Sequence, residues 1–372
     1  PYPGVDTSPT VAEIFYDHDA DPDTNNWRTV LSAMTGKYGA SPSVFAIDVT
    51  DPTTPDLLWE KTQEDIADLG GGMRVSIGMV KNAYGVTVPM VFAATNKVVD
   101  TAAIPAEAGG IRMFGFDLAT GTTTWSVSED YVGSQNDLPG AITLVDTDRD
   151  GYVDVVLAGD MDGRLWELNA LTGANVNGSH IPLFNGGAGA TVTGAGVNYP
   201  IAASPTVTIG SNGHVLVVFG TGGTDWAPAD ADHRHSIFVI DMTQKLTSPD
   251  AANGAATLLW QLQLDVGEKA WSSPTVADGT VYVSTAYGTM ESANPGDDIA
   301  STAQLGKIRA VSLAGGETVF SQEVGNQRGS VYIKDGHAYG STLDGRVVQL
   351  GDEDFSSGFV VNVFKLLWKE NP

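Results

Sequence analysis

The chain has 372 residues, with 45 acidic against 19 basic side chains, a formal net charge of −26 and no cysteine. The missing thiols exclude disulfides, zinc–thiolate centres, iron–sulfur clusters and cysteine nucleophiles. The acidic balance argues against nucleic acid or an anionic membrane as a partner, since both are bound through basic patches, and favours cations. With 42% hydrophobic residues the chain can bury a large core, which excludes global disorder.

At about 100–200 residues per domain the length suggests two or three domains, but propellers run longer as one unit. The chain opens at Pro1 without methionine or a basic leader, so it is read as a processed form or fragment whose signal peptide lies outside it. The longest apolar runs, such as Val153–Ala158 and Val215–Phe219, have strand length. They fall far short of the ~20 residues of a spanning helix, so direct membrane insertion is not expected. In chain order, Ser43–Val49, Val91–Ala94, Ile111–Leu118, Ile142–Val145, Val153–Ala158, Ile237–Asp241, Thr280–Ser284 and Ile308–Leu313 alternate or run apolar between Gly, Asp, Asn and Pro, the pattern of strands and hairpins. Lys61–Leu69 is the main helical candidate and is read as a loop or single turn.

These strands recur in units. An opening phrase appears as Ser8-Pro9-Thr10-Val11, Ser204-Pro205-Thr206-Val207 and Ser273-Pro274-Thr275-Val276, with weaker versions at Arg74–Val80, Gly140–Val145 and Gly329–Ile333. A closing phrase follows each, in which a strand ends in a polar residue, a Thr-Gly-type turn intervenes and an aromatic strand returns. Examples are Gly115–Gly121 leading to Trp125, and Phe238–Asp241 leading to Leu258-Leu259-Trp260. Trp59 and Trp368 occupy the same place in the first and last units, and these tryptophans are read as packing between units. Six units long enough for four strands each predict an all-β fold. It is a β-propeller of six or seven blades with long inserted loops, a single domain over residues 1–372.

One stretch carries chemistry. Asp146-Thr147-Asp148-Arg149-Asp150-Gly151-Tyr152-Val153-Asp154 matches the first nine positions of an EF-hand calcium loop. Carboxylates at positions 1, 3 and 5 converge when the backbone curls around the ion. Gly151 takes the sharp turn at position 6, Tyr152 offers its backbone carbonyl, and Asp154 ligates directly or through water. The bidentate Glu of position 12 is replaced by Leu157, and the flanks are strands rather than helices. One Ca²⁺ site with ligands Asp146, Asp148, Asp150, Tyr152 and Asp154 is therefore expected on a hairpin; the competing reading is a solvated acidic hairpin tip. Mg²⁺ is disfavoured because it demands a tighter octahedron.

The alternating acids of Asp17–Asp23 lack the glycine and contain Pro22, and are read as a solvated loop ahead of a second cation site. Asp230, Asp232, His233 and His235 are likewise read as a loop rather than a metal site. No catalytic motif is present: there is no G-x-S-x-G elbow, no H-E-x-x-H and no Walker loop. Gly70-Gly71-Gly72 and Gly220-Thr221-Gly222-Gly223 are read as turns.

Four stretches, in order, resemble the C-terminal propeller of the PilC/PilY family of type IV pilus-biogenesis and pilus-tip adhesin proteins. They are Ser43–Pro52 with Leu57–Glu60; the aspartate loop within Leu144–Asp154; Ala158–Trp166; and Ile201–Val207 followed by Val217–Gly222. The resemblance implies a non-enzymatic, quinoprotein-like propeller with one calcium, held by the aspartate loop and linked to pilus extension, retraction and twitching motility. It implies an exported, surface-exposed protein whose partners are pilins, minor pilins and the pilus machinery, with host or abiotic surfaces as adhesion ligands. Arg149-Asp150-Gly151 is not an Arg-Gly-Asp motif, so integrin binding is not carried over. Two other readings compete: a quinoprotein dehydrogenase using pyrroloquinoline quinone beside calcium, against which the missing vicinal cysteines weigh, and a generic protein-binding scaffold with a structural calcium.

Overall fold

Apolar residues at every second position and glycine-punctuated turns build a series of antiparallel β-sheets. The computed structural model describes residues 7–15, 27–35, 42–96, 109–131, 136–186, 199–223, 234–287, 305–326, 329–342 and 346–350. Blade 1 holds β1 (Thr10–Phe15), β2 (Trp27–Met34), β3 (Ser43–Asp48) and β4 (Asp56–Thr62). Blade 2 holds β5 (Ser76–Lys81), β6 (Thr87–Asn96), β7 (Gly109–Asp117) and β8 (Thr123–Tyr131). Blade 3 comprises β9 (Thr143–Val145), β10 (Val155–Gly159), β11 (Arg164–Asn169) and β12 (Phe184–Asn185). Blade 4 comprises β13 (Thr206–Ile209), β14 (Val215–Gly220), β15 (Ser236–Asp250) and β16 (Gly254–Gln263). Blade 5 contains β17 (Glu268–Ala270), β18 (Thr275–Ala277), β19 (Thr280–Tyr287), β20 (Lys307–Ser312) and β21 (Thr318–Glu323). Blade 6 contains β22 (Tyr332–Lys334), β23 (His337–Ser341) and β24 (Val347–Gln349).

The fold is the all-β propeller expected from the repeats, and six blades fall among the described residues. Strands within each blade pair antiparallel in chain order, except that in blade 5 both β17 and β18 pair with β19 and β18 is the counterpart of the other blades' first strands. The first strands of blades 1 to 5 touch one another in succession, β1 to β5, β5 to β9, β9 to β13 and β13 to β18, which puts the opening phrases innermost. The side chain at its third position explains the phrase. The hydroxyl groups of Thr10, Ser76, Thr143, Thr206 and Thr275 donate to the carbonyls of Val75, Ile142, Pro205, Pro274 and Val331 at 2.5–2.8 Å. Each acceptor is the residue just before the equivalent position of the next blade, so five hydroxyls lace six blades around the axis.

The recurring tryptophans lace the outer strands in the same sense. Trp59, Trp125 and Trp260 donate their indole N–H to the carbonyls of Leu118, Ala170 and Leu313 in the following blade, at 2.7–2.9 Å. Each ring lies on the turn glycine of that blade. A Cβ on Gly121, Gly173 or Gly316 would come within 2.5–2.8 Å of the indole, so the Thr-Gly turns are glycine because a ring rests on them as well as for their positive φ. The packing role expected for these three tryptophans is borne out; Trp368 lies outside the described residues.

Between blades 3 and 4 the indole is missing, since Val176 stands in its place. The 15-residue strand β15 and its partner β16, bulged at several points, lean across instead. Phe184 pairs with Gly254, Lys245 meets Glu167 and Asn177, and the two blades merge into one eight-stranded sheet. Apolar clusters fill the spaces between successive blades, for example Phe92, Met113, Trp125, Val156 and Trp166 between blades 2 and 3. Gly70 and Gly72 have a different role from the tight turn expected. A Cβ there would strike Asn96 or Ala94 and Met34, so they permit close backbone approach. Lys61–Leu69 continues β4 and then turns, as expected. Among the described residues no helix is long and apolar enough to cross a membrane.

Candidate metal site

The aspartate loop joins the first two strands of blade 3. Val145 pairs with Val155, and the Asp154 amide donates to the Val145 carbonyl at 2.9 Å, so residues 146–154 form the whole connection. Nine residues are too many for a tight hairpin turn, and the loop has its own internal order. The Asp146 carboxylate collects three amides: Oδ1 accepts from Arg149 at 2.6 Å and Asp150 at 3.2 Å, and Oδ2 from Gly151 at 2.8 Å. Asp148 accepts from the Asp150 amide at 3.1 Å, and Asp150 from that of Tyr152 at 3.0 Å. Asp154 accepts from the Thr147 amide at 2.7 Å and its hydroxyl at 2.5 Å. Arg149 and Gly151 have φ of 68° and 92°. The space around a Cβ on Gly151 is empty, so glycine is required there by backbone conformation rather than by room.

The curl brings together three of the four expected carboxylates. One oxygen from each of Asp146, Asp148 and Asp154 lies within 4.8 Å of the others. Asp150 turns outward and pairs with Lys81 Nζ of blade 2 at 2.6 Å. That contact holds Asp150 below the ordinary carboxylate range and raises Lys81. The same ammonium sits 3.9 Å from the centre of the Tyr152 ring. The loop is also tied on both flanks. The Val153 amide donates to the Met79 carbonyl of blade 2 at 2.8 Å, and Arg149 Nη2 donates to the Gly213 carbonyl of blade 4 at 2.7 Å. Leu157, where an EF-hand carries its bidentate Glu, is fully buried within β10 opposite Thr143. The hydrophobic core thus takes the place of the twelfth ligand.

Asp17–Asp23, Asp230, Asp232 and His233 lie outside the described residues; His235 is buried with its ring 5.8 Å from that of Tyr199. Sequence reasoning missed a second acidic centre at the β10–β11 turn. Asp160 is fully buried and accepts from Trp166 Nε1 and Asn136 Nδ2 at 2.9 Å, from the Asp162 amide at 3.0 Å and from the Arg164 amide at 2.8 Å. Burial and the Asp160 charge push Asp162 up to about 6. The Ala158–Trp166 block therefore has a physical meaning beyond resemblance, because its Asp, Arg and Trp form one buried polar hub.

No protein-family model matches the chain. Among curated proteins it is 31% identical over 221 residues, 59% of its length, to a type IV pilus biogenesis factor PilY1 homolog of Xylella fastidiosa. It is 27% identical over 276 residues, 68% of its length, to the type IV pilus biogenesis factor PilY1 of Pseudomonas aeruginosa. The chain is related to the PilY1 family. It spans only 16% and 22% of the length of those two relatives. The crystal structure of the Pseudomonas aeruginosa PilY1 C-terminal domain overlays with a TM-score of 0.55 at 20% identity, covering 84% of this chain and 71% of that one, which places the fold alongside the PilY1 propeller.

Proposed function

We propose that this chain is the calcium-binding propeller of a type IV pilus-associated protein at the bacterial cell surface. There it supports pilus biogenesis, the balance of extension and retraction, twitching motility and surface adhesion. The convergence of Asp146, Asp148 and Asp154 within 4.8 Å on one hairpin carries the reading. Three like charges so close favour a cation. An all-oxygen donor set suits a hard ion of variable coordination, which is the chemistry of Ca²⁺. Asp146, Asp148 and Asp154 would hold it, joined by Asp150 once released from Lys81 and by the Tyr152 carbonyl, with water in place of the missing Glu. A cation bound only by the folded loop stabilises the fold by mass action. Because the loop is tied to blades 2 and 4, that stabilisation extends to both neighbours.

The relatives named as pilus biogenesis factors support the pilus role, with pilins, minor pilins and the pilus machinery as partners and host or abiotic surfaces as adhesion ligands. The test places Asp148→Asn with Asp154→Ala in the full-length protein in its own cells. Surface pili and twitching zones are then measured at equal protein level. Altered pilus number or motility is expected, and wild-type values for both would refute the role assigned to calcium.

A further inference from the structure

The seam between blades 3 and 4 lacks the indole that docks across three of the others, and a polar triangle crosses it instead. Glu167 lies in β11 and Asn177 in the loop that follows, both in blade 3, while Lys245 lies in β15 of blade 4. Lys245 Nζ donates to Glu167 Oε2, and to Asn177 Oδ1 at 3.0 Å. Asn177 Nδ2 donates to the same Glu167 Oε2 at 2.9 Å. One carboxylate oxygen therefore gathers an amine and a carboxamide against each other.

The surroundings keep the triangle in place. Glu167 is 3% exposed and stands opposite Leu157 in the β10–β11 ladder. Leu157 and Leu165 belong to the apolar cluster between blades 3 and 4, and so does Ala256, the β16 partner of Lys245. The Lys245 side chain itself is 32% exposed, which leaves a small product a route to solvent. A nucleophile, an electrophilic carbonyl and a proton carrier are thus held together by the fold, so proximity stands in for an external catalyst.

We propose that Lys245 and Asn177 become joined by an isopeptide bond that the folded chain forms itself, with Glu167 as its acid–base catalyst. Glu167 takes one proton from the Lys245 ammonium, and the free amine attacks Asn177 Cγ. Glu167 returns that proton to Nδ2 as the Cγ–Nδ2 bond breaks. The departing nitrogen also takes up the proton shed by the attacking one and leaves as ammonium. An ammonium and a carboxamide thereby become a secondary amide and an ammonium ion, with the carboxylate unchanged and no oxidant or co-reactant needed. The bond ties two blades through residues 68 apart in sequence. That is the kind of restraint a disulfide supplies, in a chain that has no cysteine.

Intact-mass measurement of the folded full chain tests this, followed by peptide mass spectrometry. The chain is expected to be lighter than its sequence by one ammonia, with a branched peptide linking Asn177 to Lys245 and no tryptic cleavage after Lys245. Lys245→Arg, Asn177→Ala and Glu167→Gln, each with unchanged circular dichroism, should keep their full sequence mass. An unmodified wild-type mass after prolonged incubation would overturn the proposal, and this reading needs no variant to fold. Loss of ammonia without the branched peptide, from a succinimide at Asn177-Gly178, would overturn it too. So would loss of water with Lys245 linked to Glu167. A Glu167→Gln chain that links as fully as wild type would overturn the role given to the carboxylate.

Discussion

Replacing Asp160 by asparagine keeps the shape of the side chain and removes its charge. In the fully buried hub, Oδ1 faces the Asp162 and Arg164 amides, and Oδ2 faces Trp166 Nε1 and Asn136 Nδ2. An asparagine can present its oxygen to only one of these pairs, so its NH₂ must meet two other donors. The Arg164 guanidinium, 3.5 Å from Asp160 and nearly buried, also loses its deepest counter-charge and keeps Asp162 at 3.3 Å. Hydrogen bonds to a charged group are each worth about 1.5–3 kcal/mol, and breaking a buried charge pair from one side costs about 3–5 kcal/mol. Because these overlap, Asp160→Asn should lose about 3–5 kcal/mol, a large part of the roughly 5–15 kcal/mol typical of a folded domain. Urea unfolding followed by tryptophan fluorescence and far-ultraviolet circular dichroism measures it. Trp166→Phe, which removes one of the four bonds, should lose about 1.5–3 kcal/mol. The double variant should lose less than the sum of the two singles, because both remove the same bond. A loss below about 0.5 kcal/mol for Asp160→Asn, within the range of ordinary surface changes, would refute the hub.

Trp125→Ala should lose about 3–5 kcal/mol in the same assay, as expected for truncating a buried aromatic. Trp125→Phe, which keeps a ring over Gly173 but loses the bond to Ala170, should fall between that variant and wild type. Asp162 should give an acid-side signature. Its folded value of about 6 lies above the ordinary 3.8, so the folded state holds more proton than the unfolded state between those values, and stability falls as pH rises through that window. Asp162→Asn should therefore be more stable than wild type above pH 6 and lose its advantage near pH 4, checked by unfolding midpoints across the range. Lys81→Met frees Asp150 from its ion pair and removes a positive charge beside the loop, so calcium should bind more tightly to this variant by titration calorimetry. Weaker binding would mean that Lys81 instead holds the loop in its receptive shape.

The strands and their grouping into units were readable because each blade repeats the same physical demands. A hydroxyl at the start of a blade's first strand reaches the next blade, and a tryptophan needs a glycine turn to rest on. Where the chain departs from those demands the pattern falls silent. The merger of blades 3 and 4 replaces the missing indole with the bulged β15–β16 hairpin, whose contact through Phe184 and Gly254 leaves no periodic trace. The aspartate loop was legible as a motif because its ligands are neighbours in sequence. Its restraints were not, since Lys81 lies 69 residues from Asp150 and Gly213 lies 64 from Arg149. The outward turn of Asp150 follows from Lys81, and so only the fold exposes it. Asp160 looked like one more acid in a chain with net charge −26. Only its burial beneath Trp166 and Arg164 distinguishes it from the solvated surface.

The claim that the 146–154 hairpin is a calcium site is tested most directly by isothermal titration of Ca²⁺ into the metal-stripped chain, alongside Asp148→Asn and Asp154→Ala variants with unchanged circular dichroism. One dominant site with a matching rise in melting temperature is expected for the wild type, with binding severely weakened in both variants. Absence of heat and of any melting shift in the wild type, or equal binding by all three proteins, would contradict it.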